Sequence, residues 1–128
     1  MATDWPGHFP NVRQTIETLV AHGAELSLPF SDHPAHAETP LHWAAGSDDL
    51  EALDALLDHG ADIEAPGSII GGGSALADAV AFRNWRAARR LVERGAKSTI
   101  WQSAALGLMD RLLLCFRPIR VELEGDWD

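Results

Sequence analysis

Apolar residues recur along this chain on a helical period, in three short stretches that each stop at a glycine. Val12, Ile16, Leu19 and Val20 form the first stripe, Leu50, Leu53, Leu56 and Leu57 the second, and Trp85, Ala88, Leu91 and Val92 the third. Steps of three and four residues place such positions on one face of a helix. The stripes run into His22-Gly23-Ala24, His59-Gly60-Ala61 and Arg94-Gly95-Ala96, whose glycines lie 37 and 35 residues apart. A glycine at that point supplies the left-handed stop of a helix. A second theme, Thr39-Pro40-Leu41-His42-Trp43-Ala44-Ala45, returns as Ser74-Ala75-Leu76-Ala77-Asp78-Ala79-Val80 and again as Thr99-Ile100-Trp101-Gln102-Ser103-Ala104-Ala105. Thr or Ser there is an N-cap, Pro40 suits a first helical position, and the alanines allow close packing. The pattern predicts helix, tight turn, helix, glycine and an extended connection, repeated. Such a unit cannot bury its own apolar face and must stack on a neighbour.

The central copy, Thr39 to Ala45 followed by Leu56-Leu57-Asp58-His59-Gly60-Ala61-Asp62-Ile63-Glu64-Ala65, resembles the ankyrin repeat. The likeness extends over about residues 8–117. It implies an all-α, ankyrin-repeat helical solenoid of stacked helix-turn-helix pairs joined by extended finger loops. Residues 1–128 then form one domain: an N-terminal partial repeat over about 8–38, a central repeat over 39–73, a second full repeat over 74–98, a truncated repeat over 99–117 and a tail over 118–128. The first unit lacks most of its first helix. The steps from Ala24 to Thr39 and from Ala61 to Ser74 are 15 and 13 residues, so two fingers are longer than usual, whereas Ala96 to Thr99 leaves no finger. Asp48 and Arg83 stand where the family places a glycine between its helices. An alanine-rich chain with nine arginines and one lysine looks like a bacterial member.

Charge sharpens this picture. Against 10 basic residues stand 19 acidic ones, a net charge of −9. That excludes a simple cationic nucleic-acid binder or a polybasic membrane-surface protein. Residues 1–78 carry 13 acids and one base, and residues 79–128 carry 9 bases and 6 acids. Stacking accounts for the split. Asp48, Glu51 and Asp54 precede Arg83, Arg86 and Arg89 by 35 residues, and equivalent positions of neighbouring repeats lie side by side, so these six are expected to form inter-repeat ion pairs. Arg90 and Arg94 are left over for an acidic partner. A single cysteine, Cys115, gives no internal disulfide. No leader-like start and no apolar run of about 20 residues is visible, so a soluble cytoplasmic protein is expected.

The resemblance also implies where a partner sits: on the concave face made by finger tips and inner helices. The variable position of the helical motif faces it, here Trp43, Asp78 and Ser103. Trp43 is the strongest anchor, since large aromatics dominate interfaces; the alternative is that the long first finger covers it as core. The fingers add His33 and His36 in the first loop and Ile69 and Ile70 beside three glycines in the second. The isoleucines read either as a mobile apolar tip or as residues tucked into the next finger.

Other chemistry is poorly supported. Gly71-Gly72-Gly73-Ser74 lacks the lysine of a phosphate-binding loop. His33, His36 and His42 fall short of the four convergent ligands of a structural zinc site. No nucleophile elbow is present, so no enzyme, metal or cofactor is expected. Met109, Leu112, Cys115 and Phe116 make an inward stripe at the C-terminal end, Leu113 and Leu114 would be exposed there, and Ile119, Val121 and Leu123 alternate like a half-buried strand. Two functions follow. One is a non-enzymatic interaction module for a protein of basic or mixed charge, with no nucleic acid and no membrane as partner. The other is a structural or capping fragment of a longer array, or a unit that self-associates through its apolar end.

Overall fold

The computed structural model describes residues 10–31 and 37–115. They form helices α1 (Val12–Ala21), α2 (Pro40–Gly46), α3 (Leu50–Asp58), α4 (Ala75–Ala81), α5 (Trp85–Glu93), α6 (Ile100–Leu106) and α7 (Met109–Cys115). No strand occurs among the described residues. The helices lie in two rows. One row stacks α2 on α4 on α6, the other stacks α1 on α3 on α5, and the consecutive pairs α2–α3, α4–α5 and α6–α7 link the rows. His33 and His36, Phe116, and the strand-like segment with Ile119, Val121 and Leu123 lie outside the described residues.

Local chemistry starts and stops these helices. Thr99 caps α6 by accepting the Gln102 N–H at 3.3 Å, while Gln102 Oε1 accepts the Thr99 N–H at 2.8 Å. Asp49 caps α3 through the Ala52 N–H at 3.0 Å. The turn ahead of each second helix is left-handed, with φ of 55° at Asp48 and 60° at Arg83, matching Asn11 at 61° and Gly107 at 67°. A non-glycine residue there costs about 1–2 kcal/mol, least for Asn and Asp.

The core is made of Leu41, Leu53, Leu56, Leu76 and Leu91 with Ala44, Ala45, Ala79, Ala87 and Ala88, all sealed from solvent. Alanine on the facing surfaces lets the rows approach closely. Val12 and Ile16 join this core. Leu19, expected in the same stripe, is 48% exposed, because α1 packs chiefly on α3 and has little else to bury against. The C-terminal stripe is a clearer correction. No residue of α7 is fully buried, and Met109 and Cys115 are exposed together with Leu113 and Leu114. Among the described residues this helix packs mainly on α6, with no second surface enclosing it.

Ion pairs bind the α1, α3 and α5 row. Arg13 contacts Asp58 at 3.1 Å, Arg94 contacts Asp58 at 2.9 Å and Asp54 at 3.2 Å, and Arg90 also pairs with Asp54. Arg86 meets Asp48 at 3.6 Å. Three of the expected members, Glu51, Arg83 and Arg89, take no part among the described residues, and Arg90 and Arg94 replace them. A helical side chain covers the turn N-terminal to its own Cα, so the arginine that reaches Asp54 sits later than the aligned position. Asp48 has a further task. Its Oδ1 accepts the Ala87 N–H at 2.9 Å, so one repeat caps the first turn of a helix in the next.

Candidate functional site: a pocket between the first helices

The second finger shapes one side of the α2–α4 surface. Gly67 N–H bonds Gly72 O at 3.2 Å, Ser68 N–H bonds Gly73 O at 2.9 Å, and Gly72 N–H bonds Ser68 O at 2.8 Å. The tip is therefore a hydrogen-bonded turn rather than an open glycine hinge. Gly67 cannot be another residue without rearrangement: its φ is 137°, and an added Cβ would lie 2.2 Å from the Ala37 carbonyl oxygen. The two long fingers touch there. At the tip, Ile69 and Ile70 are 53% and 50% exposed, so they are not tucked into the neighbouring loop.

His42 connects this finger to α2. Its Nδ1 accepts the Thr39 N–H at 3.1 Å, which assigns the ring proton to Nε2, and Nε2 donates to Gly73 O at 3.2 Å. The imidazole is thus committed to structure. Among the described residues no group of three His, Cys, Asp or Glu side chains is placed to hold a metal ion.

A pocket of about 230 Å³ opens between α2, α4 and the finger. It is lined by Glu38, His42, Trp43, Gly46, Ser47, Ile69, Asp78 and Phe82. Trp43, half-buried, and Phe82, half-exposed, supply aromatic walls. Asp78 is 1% exposed and forms the floor. Its Oδ1 accepts the Ser68 hydroxyl at 2.6 Å, and the Ile69 backbone also hydrogen-bonds the carboxyl. Burial pushes its pKa above the ordinary aspartate value; the Ser68 bond, the field of His42 and the Ile69 bond only partly offset this. Two buried polar atoms in this pocket have no hydrogen-bond partner, Asp78 Oδ2 and Trp43 Nε1.

Of the sequence-derived site residues, the fold brings together Trp43, Asp78 and Ile69, with Ile70 beside them at the finger tip. Ser103 is corrected. It is 1% exposed and shares a 2.7 Å hydrogen bond with Ser98, so the short step into α6 has folded its hydroxyl into the structure. Sequence reading missed Glu38, Phe82 and Ser68. Phe82 is the C-cap of α4, one residue beyond the alanine-rich motif, and an apolar residue at a helix exit was the signal available. Ser68 gave none, because its contact with Asp78 depends on how the finger folds back.

Comparison with known proteins agrees with this geometry. Residues 9–100 match the family described as ankyrin repeats, in three copies. No curated protein sequence matches the chain closely. The period, the paired helices and a match over most of the length place this chain in the ankyrin-repeat family.

Proposed function

We propose that this chain is a non-enzymatic protein-binding module whose partner seats on the α2–α4 surface and the tip of the second finger. Ankyrin repeats are generally protein-interaction modules and typically not catalytic, and the family matched here is of that kind. The observation that carries the reading is the pocket itself. It combines a half-buried tryptophan, the exposed Ile69 with Ile70 next to it on the finger tip, and two buried polar atoms with no partner among the described residues. Interface hot spots have this composition, an aromatic anchor in a largely apolar depression with a few placed polar groups. Among the described residues no helix is long and apolar enough to cross a membrane, and the balance of −12 over residues 1–78 favours a partner of basic or mixed charge.

Selection of peptides from a displayed random library on the immobilised protein tests this. Peptides that bind the wild type should lose about 30-fold or more in affinity on Trp43→Ala, the scale of a hot spot. Thermal melts of that variant and of Trp43→Phe separate loss of binding from loss of fold. Equal binding to wild type and both variants would reject the surface.

A second reading, self-association or continuation of the stack through the C-terminal end, has its own observation. Trp101 is 81% exposed where the equivalent Leu41 is buried, and Met109, Leu113 and Leu114 are exposed beside it. Sedimentation equilibrium of wild type against Trp101→Ser decides it. A monomer at every concentration removes self-association through this end.

A further inference from the structure

The two rows of helices treat their acids differently. Asp48, Asp54 and Asp58 all meet arginine on the α3–α5 side. Among the described residues no lysine or arginine lines the α2–α4 pocket, although the buried carboxyl of Asp78 does. Over residues 1–78 the only lysine or arginine is Arg13, and it is bound to Asp58 on the other row. His42, the histidine of the described lining, has both ring nitrogens engaged by Thr39 and Gly73. Among the described residues Asp78 Oδ2 is thus a buried acceptor with no hydrogen bond and no lysine or arginine beside it, His42 acting on the carboxyl only through its field. Leaving such an atom unpaired forfeits its hydration without return. Asp49 Oδ2 is also unpartnered, at a cap whose other oxygen holds α3; what sets Asp78 apart is that it lines a pocket, where an external donor can complete it.

The walls narrow the kind of donor. Trp43 and Phe82 present aromatic rings to the same space, and ring faces attract cations. A guanidinium or ammonium on an aliphatic stem satisfies each feature: apolar contact with Ile69, a cation beside the rings and a charge-assisted bond to a carboxylate. Trp43 Nε1 is a donor only, so it needs a different complement, which the backbone carbonyl of a bound peptide provides.

We propose that this pocket receives an arginine or lysine side chain of a protein partner, with Asp78 Oδ2 taking its charge and Trp43 Nε1 bonding the partner's backbone. This rests on the reading that a partner seats on the α2–α4 surface, and it names the residue type inserted there.

The test uses the intact chain labelled with ¹⁵N and two small probes. One is Nα-acetyl-L-arginine methylamide. The other is the citrulline analogue, which keeps the shape of the side chain but carries no charge and exchanges one donor nitrogen of the guanidinium for a carbonyl acceptor. The Trp43 indole N–H signal is assigned from its absence in Trp43→Phe. The arginine probe should move that signal saturably, and should bind at least about tenfold more tightly than the citrulline probe, as a charge-assisted bond requires. Asp78→Asn should bring the two probes level while the remaining amide spectrum stays that of the folded protein. Equal affinity for both probes in the wild type, or no response to arginine, would overturn the cation pocket. The displayed library separates this from the broader reading. Trp43-dependent peptides with no basic residue in common would overturn the cation and keep the surface. A library without Trp43-dependent peptides would remove the surface, and the arginine titration would still decide the pocket.

Discussion

The α3–α5 face and the α2–α4 pocket are built on the same leucine and alanine core, yet their acidic side chains have opposite fates. On the first face, Asp54 and Asp58 sit among Arg13, Arg90 and Arg94 in a chain of pairs that runs across three helices. In the pocket, Asp78 is buried with one oxygen on Ser68 and the other unpartnered. Paired charges at a partly exposed surface contribute modestly and hold register. A buried carboxyl without a counter-ion weakens the fold, and sites kept for binding commonly carry such a cost. The first arrangement is explained by the structure alone. The second is explained when something outside the chain completes it.

The largest expected effect lies on the pocket side and involves backbone rather than charge. Gly67→Ala forces a Cβ against the Ala37 carbonyl at a left-handed φ, and should destabilise the protein by about 2 kcal/mol in urea unfolding. Unchanged stability would mean that the two fingers are not seated together. Next is Asp48→Ala, which removes the acceptor for Ala87 N–H and the partner of Arg86 at once. A loss of about 1–2 kcal/mol is expected, as for other helix caps. Asp48→Asn keeps the acceptor and should recover most of it; equal losses in both variants would make the charge, not the cap, decisive.

Smaller effects distinguish real pairs from aligned ones. A double-mutant cycle on Asp54 and Arg90 should give a coupling of about 0.5–1 kcal/mol. The same cycle on Glu51 and Arg86, which are equivalent by sequence but not paired in the fold, should give none. Reversal of that order would break the assignment of the ladder. Smallest is the acid response of Asp58. Hydrogen bonds from Arg13, then from Arg94, hold its carboxyl below the ordinary aspartate range. Its contribution is therefore present above the ordinary value of 3.8 and lost as pH falls through the lowered one. Asp58→Asn should flatten the acid limb of a stability–pH profile. An unchanged limb would leave the arginines with no hold on that group.

Much of this architecture was legible in the sequence because it depends on local rules. The stripes, the glycine stops and the Thr-initiated segments each act within a few residues, and α2 to α5 follow them closely. Trp43 and Asp78 were legible as a pair since both occupy one repeating position on adjacent first helices. What escaped depends on how repeats lie against one another. Arg90 and Arg94 displace Arg89 because long side chains lean toward the helix N-terminus, an offset that aligned numbering hides. Asp48 caps a helix 39 residues on, a bond no single-repeat pattern contains. Ser103 aligned with Trp43 and Asp78, but the missing finger before α6 left its hydroxyl to bond Ser98 instead.

The contrast between the two faces is tested most directly by one matched pair of variants. Asp54→Asn and Asp78→Asn make the same chemical change, and their unfolding free energies can be measured in urea across pH 3 to 8 (an illustrative range spanning about the carboxylate region). Asp54→Asn should destabilise at neutral pH by about 1 kcal/mol, since it removes the carboxylate shared by Arg90 and Arg94 and leaves them only Glu93 and Asp58. For Asp78 the raised pKa reverses the sign: the wild type keeps that contribution below the ordinary value of 3.8 and loses it as pH rises through the folded one. Asp78→Asn should accordingly match the wild type in acid and become more stable by about 1 kcal/mol as pH rises. If instead it destabilises the protein at neutral pH as Asp54→Asn does, Asp78 is holding the fold together, and the account of an unfilled pocket is wrong.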